Sequence, residues 1–255
     1  MDTSSQKHPT DFEFWERRSS VFAEHAGKTH YPNEFLKLMR LAPDYTVLDM
    51  GCGGGALAIP LTGKVKKITA VDFSPNMLAI VGNICAERNI TNIETILGEW
   101  DSDWAALGIG KYDIAIASRS LHAKDCAPYI QKLINAARRQ VFISAPEGNG
   151  PLDAGLLEFV GRETTVKSDY RQLMGAVQGM GIRANISFIE ENHINRWQSF
   201  DEAMEAQKWM FFGASRQEEE EKIRLYLEQN LIQKDGVFQL SYERTCRWAV
   251  MWWDV

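Results

Sequence analysis

The segment Val47-Leu-Asp49-Met-Gly51-Cys-Gly53-Gly-Gly55-Ala56 carries the densest set of chemistry-bearing residue types in the chain. Its apolar start and the helical pattern after it read as a strand tip turning into a helix. Glycine alone tolerates so tight a turn and allows a ligand to approach the backbone N–H groups closely. A second carboxylate, Asp72, ends the next apolar run, Thr69-Ala-Val71, where it can accept two hydrogen bonds from the hydroxyls of a ribose. Together these features define a nucleoside-type ligand lying across the carboxyl ends of two strands. Gly51-x-Gly53-x-x-Ala56 also fits the dinucleotide pattern of oxidoreductases. Asp49, two positions ahead of the first glycine, weighs against that fit, because its charge suits a cationic amine and repels a pyrophosphate.

Asp49-x-Gly51-x-Gly53-x-Gly55 resembles the first motif of class I S-adenosylmethionine-dependent methyltransferases. The similarity in the order of elements runs over residues 45–190 and a closing strand at 245–253. It implies S-adenosylmethionine as cofactor, S-adenosylhomocysteine as product, and Asp72 as the ribose ligand. Asp72-Phe-Ser-Pro-Asn-Met77 is similar to a small-molecule subgroup related to quinone-biosynthesis methyltransferases. That similarity places Phe73 and Met77 beside the adenine, although both residue types also suit an ordinary core. In Leu97-Gly98-Glu99-Trp100 the resemblance implies that Glu99 or the adjacent backbone reads the adenine edge. Trp100 then walls the ring or serves the core. The usual residue near Glu99 in this family is aspartate. Ala117-Ser118-Arg119-Ser120-Leu121-His122 resembles the segment beneath the methionine part of the cofactor, with Ser118 and Arg119 as contacts. Tyr31 resembles the aromatic residue that closes over the cofactor from the N-terminal side, a position it can also fill as packing.

Methyl transfer from a sulfonium is an in-line displacement, so alignment and exclusion of water do much of the work. It needs no nucleophilic side chain, and the sequence offers no Ser-His-Asp or Cys-His arrangement. A base is required only where the acceptor arrives protonated. His122, just past the fourth strand, is the candidate, with His25, His30, Asp125 and Glu147 as alternatives; capping or acceptor positioning are its other roles. No Asn/Asp-Pro-Pro-Tyr motif follows that strand, which favours a small-molecule acceptor over a nucleobase or a glutamine amide. Two other readings stay open: a nicotinamide- or flavin-dependent oxidoreductase, and a non-catalytic S-adenosylmethionine-binding protein.

The elements that must position these residues follow from periodicity. Five short apolar runs, 46–50, 68–72, 93–97, 112–118 and 141–145, read as strands. They alternate with helical patterns at 56–62, 75–88, 100–107 and 125–137. Such alternation predicts a Rossmann-like, doubly wound α/β fold with a mostly parallel sheet. Ser74 and Pro75 mark the start of the second helix as cap and first residue; Pro60 predicts a short or bent first one. Further helices are expected at 34–41, 168–180, 200–212 and 216–230, and a strand at 184–190. Cys246, Trp248, Val250 and Trp252 alternate with Arg247, Ala249, Met251 and Trp253, which predicts a last strand sandwiched within the sheet; the resemblance implies a mostly parallel, seven-stranded sheet in which that last strand is antiparallel. Residues 1–40 read as an N-terminal helical cap, 41–192 as the cofactor-binding core, 193–242 as a helical insertion serving as lid, interface or core, and 243–255 as the closing strand.

A 45% apolar chain of 255 residues buries its own core without a metal or disulfide. Four scattered cysteines, with no Cys-x-x-Cys pair, suit a reducing compartment and predict no metal. Net charge −6 argues against nucleic-acid binding. The polar start and the lack of about 20 consecutive apolar residues argue against secretion and a membrane span. The expectation is a cytoplasmic enzyme acting on a small molecule, with a homodimer as the one partner considered.

Overall fold

The computed structural model describes residues 29–122, 125–162, 169–193, 195–211 and 217–255. Residues 1–28 of the expected N-terminal cap, His25 among them, lie outside them. Five strands, β1 (Thr46–Met50), β2 (Lys67–Asp72), β3 (Ile93–Leu97), β4 (Tyr112–Ser118) and β5 (Ala137–Glu147), run parallel to one another. Two more, β6 (Asn185–His193) and β10 (Arg244–Asp254), complete a seven-stranded sheet of order β3-β2-β1-β4-β5-β10-β6. β10 is antiparallel to both of its neighbours. The sheet is therefore Rossmann-like and doubly wound with a reversed last strand inside it, and that interior place suits the apolar residues on both faces of Cys246 through Trp253. The order reverses between β1 and β4, and at such a switch point a crevice opens above the carboxyl ends of the strands.

Each face of the sheet has its own core. On one side Ile130 and Leu133 of α4 (Ala127–Ala136) and Leu173 and Val177 of α6 (Tyr170–Gly179) pack with Leu48, Ile143, Met251 and Trp253. On the other, Tyr31, Phe35 and Leu36 of α1 (Tyr31–Lys37) and Ala58 and Leu61 of α2 (Ala58–Leu61) pack with Val47, Phe142, Trp248 and Val250. The alternation along β10 feeds both. α2 is a single turn, consistent with Pro60. α3 (Pro75–Glu87) begins as expected, with Ser74 Oγ accepting the N–H of Met77 at 3.1 Å.

Several expectations need correction. α1 starts at Tyr31, because Pro32 fits the first helical turn, and it ends at Lys37 instead of 41. Residues 100–107 form turns, not a helix: Asp103 takes the N–H groups of Ala105 and Ala106 at 3.0 and 3.2 Å, diverting them from a helical ladder. α5 (Ala154–Val160) was not anticipated, although Asp153 caps it and Gly161, at φ +89°, closes it. The stretch 193–242 is not purely helical. Besides α7 (Phe200–Gln207) and α8 (Gln217–Asn230), it holds a small antiparallel sheet, β7 (Arg196–Trp197), β9 (Val237–Leu240) and β8 (Leu231–Lys234). These elements share a separate core with α5, in which Leu156, Leu157, Met204, Phe211, Ile223 and Leu227 are buried. The aromatic stripe ending that helix is thus mainly packing for Met210 and Phe211. In α8, Lys222 donates to the carbonyl of Val160 at 3.1 Å, and Glu219 accepts from Arg162 Nε at 2.8 Å, which ties the helix to the end of α5.

Candidate active site at the switch point

β1 delivers Asp49 to the crevice, and the chain then turns through Gly51, Gly53 and Gly55 at φ +73°, +53° and +85°. Gly51 is required by the protein itself. A Cβ there would lie 2.3 Å from Ser120 Cβ, whose hydroxyl donates to the Met50 carbonyl at 2.7 Å. At Gly55 a Cβ would stand 3.0 Å from Ile59 and 3.2 Å from Val81. The N–H groups of Gly51 and Cys52 both reach the Val71 carbonyl, which ties the turn to β2.

At the tip of β2 the Asp72 carboxylate braces the same turn. Oδ2 accepts the Gly53 N–H at 2.8 Å and Oδ1 the Ser74 N–H at 3.0 Å. A carboxylate offers about four acceptor positions, and these bonds fix the orientation in which it faces the turn. Asp49 is buried and accepts a backbone bond from Ala58; burial, then the Asp72 charge, push its carboxyl up to about 7, against the pull of Arg119. Burial likewise raises the Cys52 thiol, with Asp49 and Asp72 adding to it, so Cys52 is no nucleophile.

The loop after β4 supplies the opposite wall. Tyr31 Oη lies 2.8 Å from Ser118 Oγ and 2.6 Å from Ser144 Oγ. Arg119, in left-handed backbone at φ +57°, places its guanidinium 4.1 Å from the Tyr31 ring centre and 5.0 Å from that of Trp248. Burial raises the Tyr31 phenol, opposed by Arg119. Trp100 Nε1 donates to the Ser120 carbonyl at 3.1 Å, and its ring packs on Trp104 and Tyr129. Phe73 is half-buried and Met77 buried, whereas Glu99 is exposed, its N–H donating to Ser102 Oγ.

His122 is exposed, and its Nε2 donates to the Arg119 carbonyl at 2.9 Å. A carbonyl only accepts, so in the neutral ring the basic lone pair belongs to Nδ1. Of the alternatives, His30 Nε2 is bound to the Glu190 carbonyl, Glu147 pairs with Arg247 at 2.5 Å, and Asp125 is exposed. Among the described residues no cluster of three or more His, Cys, Asp and Glu is placed to hold a metal.

The structure thus brings Tyr31, Asp49, Gly51, Gly53, Gly55, Asp72, Ser118 and Arg119 to one crevice. Trp100 joins through Ser120, and Glu99 and His122 stand exposed. Sequence reasoning missed Ser120, Ser144 and Trp248. Ser144 had a signal, as a hydroxyl interrupting an apolar strand; the other two are placed only by the topology.

Residues 47–141 match a family described as methyltransferase domain. An uncharacterized protein of Haemophilus influenzae is 27% identical over 244 residues, spanning 94% of this chain and 88% of its own. Among solved structures, a candidate methyltransferase from Bacillus halodurans superposes with a TM-score of 0.59 at 14% identity, covering 88% of this chain and 97% of that one. A Haemonchus contortus phosphoethanolamine N-methyltransferase, solved with phosphomonomethylethanolamine and S-adenosylhomocysteine, gives 0.54 at 16% identity. It covers 95% of this chain and 59% of that one. What these structures share with the chain is the fold, a Rossmann-like α/β sheet.

Proposed function

We propose that this chain, whose residues 47–141 match a family described as methyltransferase domain, transfers the methyl group of S-adenosylmethionine to a small-molecule acceptor. One observation carries the reading: the Asp72 carboxylate and the left-handed glycine turn are bonded together at adjacent strand tips, Gly53 N–H to Oδ2 at 2.8 Å. That pairing suits a sugar hydroxyl pair next to a backbone that has no side chains in the way. Two buried carboxylates flanking the turn oppose a pyrophosphate, so a nicotinamide cofactor is the poorer fit.

When bound, S-adenosylmethionine supplies an electrophilic methyl on a sulfonium. Asp72 accepts from the ribose hydroxyls, and Asp49 gives negative potential where a cationic amine lies. Phe73, Met77 and Trp100 provide apolar surface for the adenine, with Glu99 at its edge. Ser118 and Arg119 hold the methionine end, and Tyr31 closes that side. The chain's contribution to rate is alignment and exclusion of water. For a hydroxyl or thiol acceptor, His122 is the candidate base that would take the proton. The division into cap, core and insertion is part of the same proposal, with the insertion beside the acceptor side of the crevice.

Calorimetric titration tests the cofactor. The parent chain is expected to bind S-adenosylmethionine and S-adenosylhomocysteine but not NAD. Asp72→Ala is expected to weaken binding roughly 100-fold, from two charge-assisted hydrogen bonds, and Gly53→Arg to abolish it. Unchanged affinity in both variants, or tight NAD binding, overturns the reading. A screen of quinols, phenols, amines and thiols then identifies the acceptor class.

A further inference from the structure

The carboxyl end of the sheet holds a second concavity beside the crevice. The loop after β5, the first turn of α5 and the start of β10 enclose about 300 Å³, lined by residues that include Glu147, Asp153, Gly155 and Arg244. Register places it at the same end as the glycine turn, since Arg247 near the start of β10 faces Glu147 at the end of β5.

The acidic groups of this cleft already have donors. Glu147 Oε2 takes Arg247 Nη1 at 2.5 Å, and Asp153 accepts the Leu156 N–H at 3.1 Å and the Tyr242 hydroxyl at 2.5 Å. Tyr242 Oη is bonded in turn to Tyr226 Oη at 2.8 Å. The basic group differs: Arg244 Nε and Nη1 are both buried without an acceptor. Leaving guanidinium N–H groups dry and unmatched is among the costlier arrangements a protein can hold. What Arg244 lacks is a group rich in lone pairs.

The nearest acid on the same face does not supply it. Cys246 pairs with Glu191 across the ladder, and residues two apart on a strand share a face, so Arg244 and Glu191 are diagonal neighbours. Glu191 Oε2 accepts from Trp248 Nε1 at 2.8 Å, yet its Oε1 is itself buried without a donor. Glu191 Oε1 and the Arg244 nitrogens are thus not bonded to each other.

We propose that Arg244 anchors an oxyanion of the methyl acceptor, a carboxylate or a phosphate, in this cleft. Guanidinium suits the task because it stays charged at all working pH values and donates in a fixed fork. The assignment of that anion to an acceptor rests on the methyltransferase reading; the anion site itself does not.

The test is an NMR titration of ¹⁵N-labelled protein with benzoate and, separately, with phenyl phosphate, with and without saturating S-adenosylhomocysteine. The Arg244 Nε–H resonance, assigned by its loss in Arg244→Lys, is expected to shift saturably with one probe, which distinguishes carboxylate from phosphate. Arg244→Gln is expected to weaken that probe about tenfold or more while leaving S-adenosylhomocysteine affinity unchanged. No saturable shift with either probe, the same shift with sodium chloride alone, or undiminished affinity in Arg244→Gln overturns the proposal. Should Arg244→Gln fail to fold, the parent titration and mutual displacement of the two probes decide it. Failure of S-adenosylhomocysteine to bind the parent chain removes the cofactor reading, and the titration without it still decides the anion site.

Discussion

Asp49 binds its proton more tightly than an exposed aspartate does. Its carboxyl, pushed up to about 7 by burial and by Asp72, compares with about 3.9 in an unfolded chain. Between those values the folded protein binds more protons than the unfolded one. The group's contribution to stability is therefore complete at low pH and is lost as pH rises through 7. Asp49→Asn is expected to gain on the parent by roughly 1 kcal/mol or more between pH 5 and pH 8, read from urea unfolding at the two values. An identical difference at both refutes it. A cationic ligand reverses the same balance by favouring the carboxylate. Binding of S-adenosylmethionine near pH 6 is thus expected to release a proton, visible as a dependence of calorimetric heat on the buffer's ionisation enthalpy. At this scale the sequence was most readable where backbone conformation dictates residue type, as at Gly51, Gly53 and Gly55. It misled on cause at Gly51, whose missing side chain makes room for Ser120 and not for a ligand.

Among the elements, α1 is fastened to the sheet by one hydroxyl. Tyr31 reaches β4 through Ser118 and β5 through Ser144, while its ring lies under Arg119. Tyr31→Phe keeps the ring and removes both bonds, leaving the two serines 3.2 Å apart to satisfy each other. The expected result is a loss of about 1 kcal/mol in stability and several-fold weaker S-adenosylhomocysteine binding. Equal affinity in the two proteins would reduce Tyr31 to packing. β1, β2, β4 and β5 were legible because burial makes each a largely apolar run, and α3 because Ser74 and Pro75 announce it. Elements whose stability is tertiary were not. β7, β8 and β9 span two to four residues each, too short for a period to register, and α5 hides in a seven-residue stretch behind a glycine-rich loop. The turn at 100–107 failed for a different reason: Asp103 outcompetes the helical ladder locally.

On the scale of the whole molecule there are separate cores. Two flank the large sheet, and a third lies within α5, α7, α8 and the small sheet. A core of its own makes the third group a cooperative unit distinct from the Rossmann-like body. In hydrogen exchange, amides of α5, α7 and α8 are expected to open together and at lower free energy than those of β1 and β4. Indistinguishable protection across the two groups would show a single cooperative body instead. Such a unit, set beside the cleft of Arg244, gives a means of adjusting the acceptor side while the cofactor side stays rigid. No helix among the described residues is long and apolar enough to cross a membrane.

The placement of β10 between β5 and β6 also bears on how the chain is made. β6 hydrogen-bonds within the sheet to β10 alone, and fifty residues separate His193 from Arg244. On the ribosome, β6 emerges with no template and must wait, its backbone unmatched, while the whole insertion is synthesised. The nascent chain can assemble β1 to β5 early, but closure of the sheet is a late event, and the interval before it is when aggregation and chaperone capture compete.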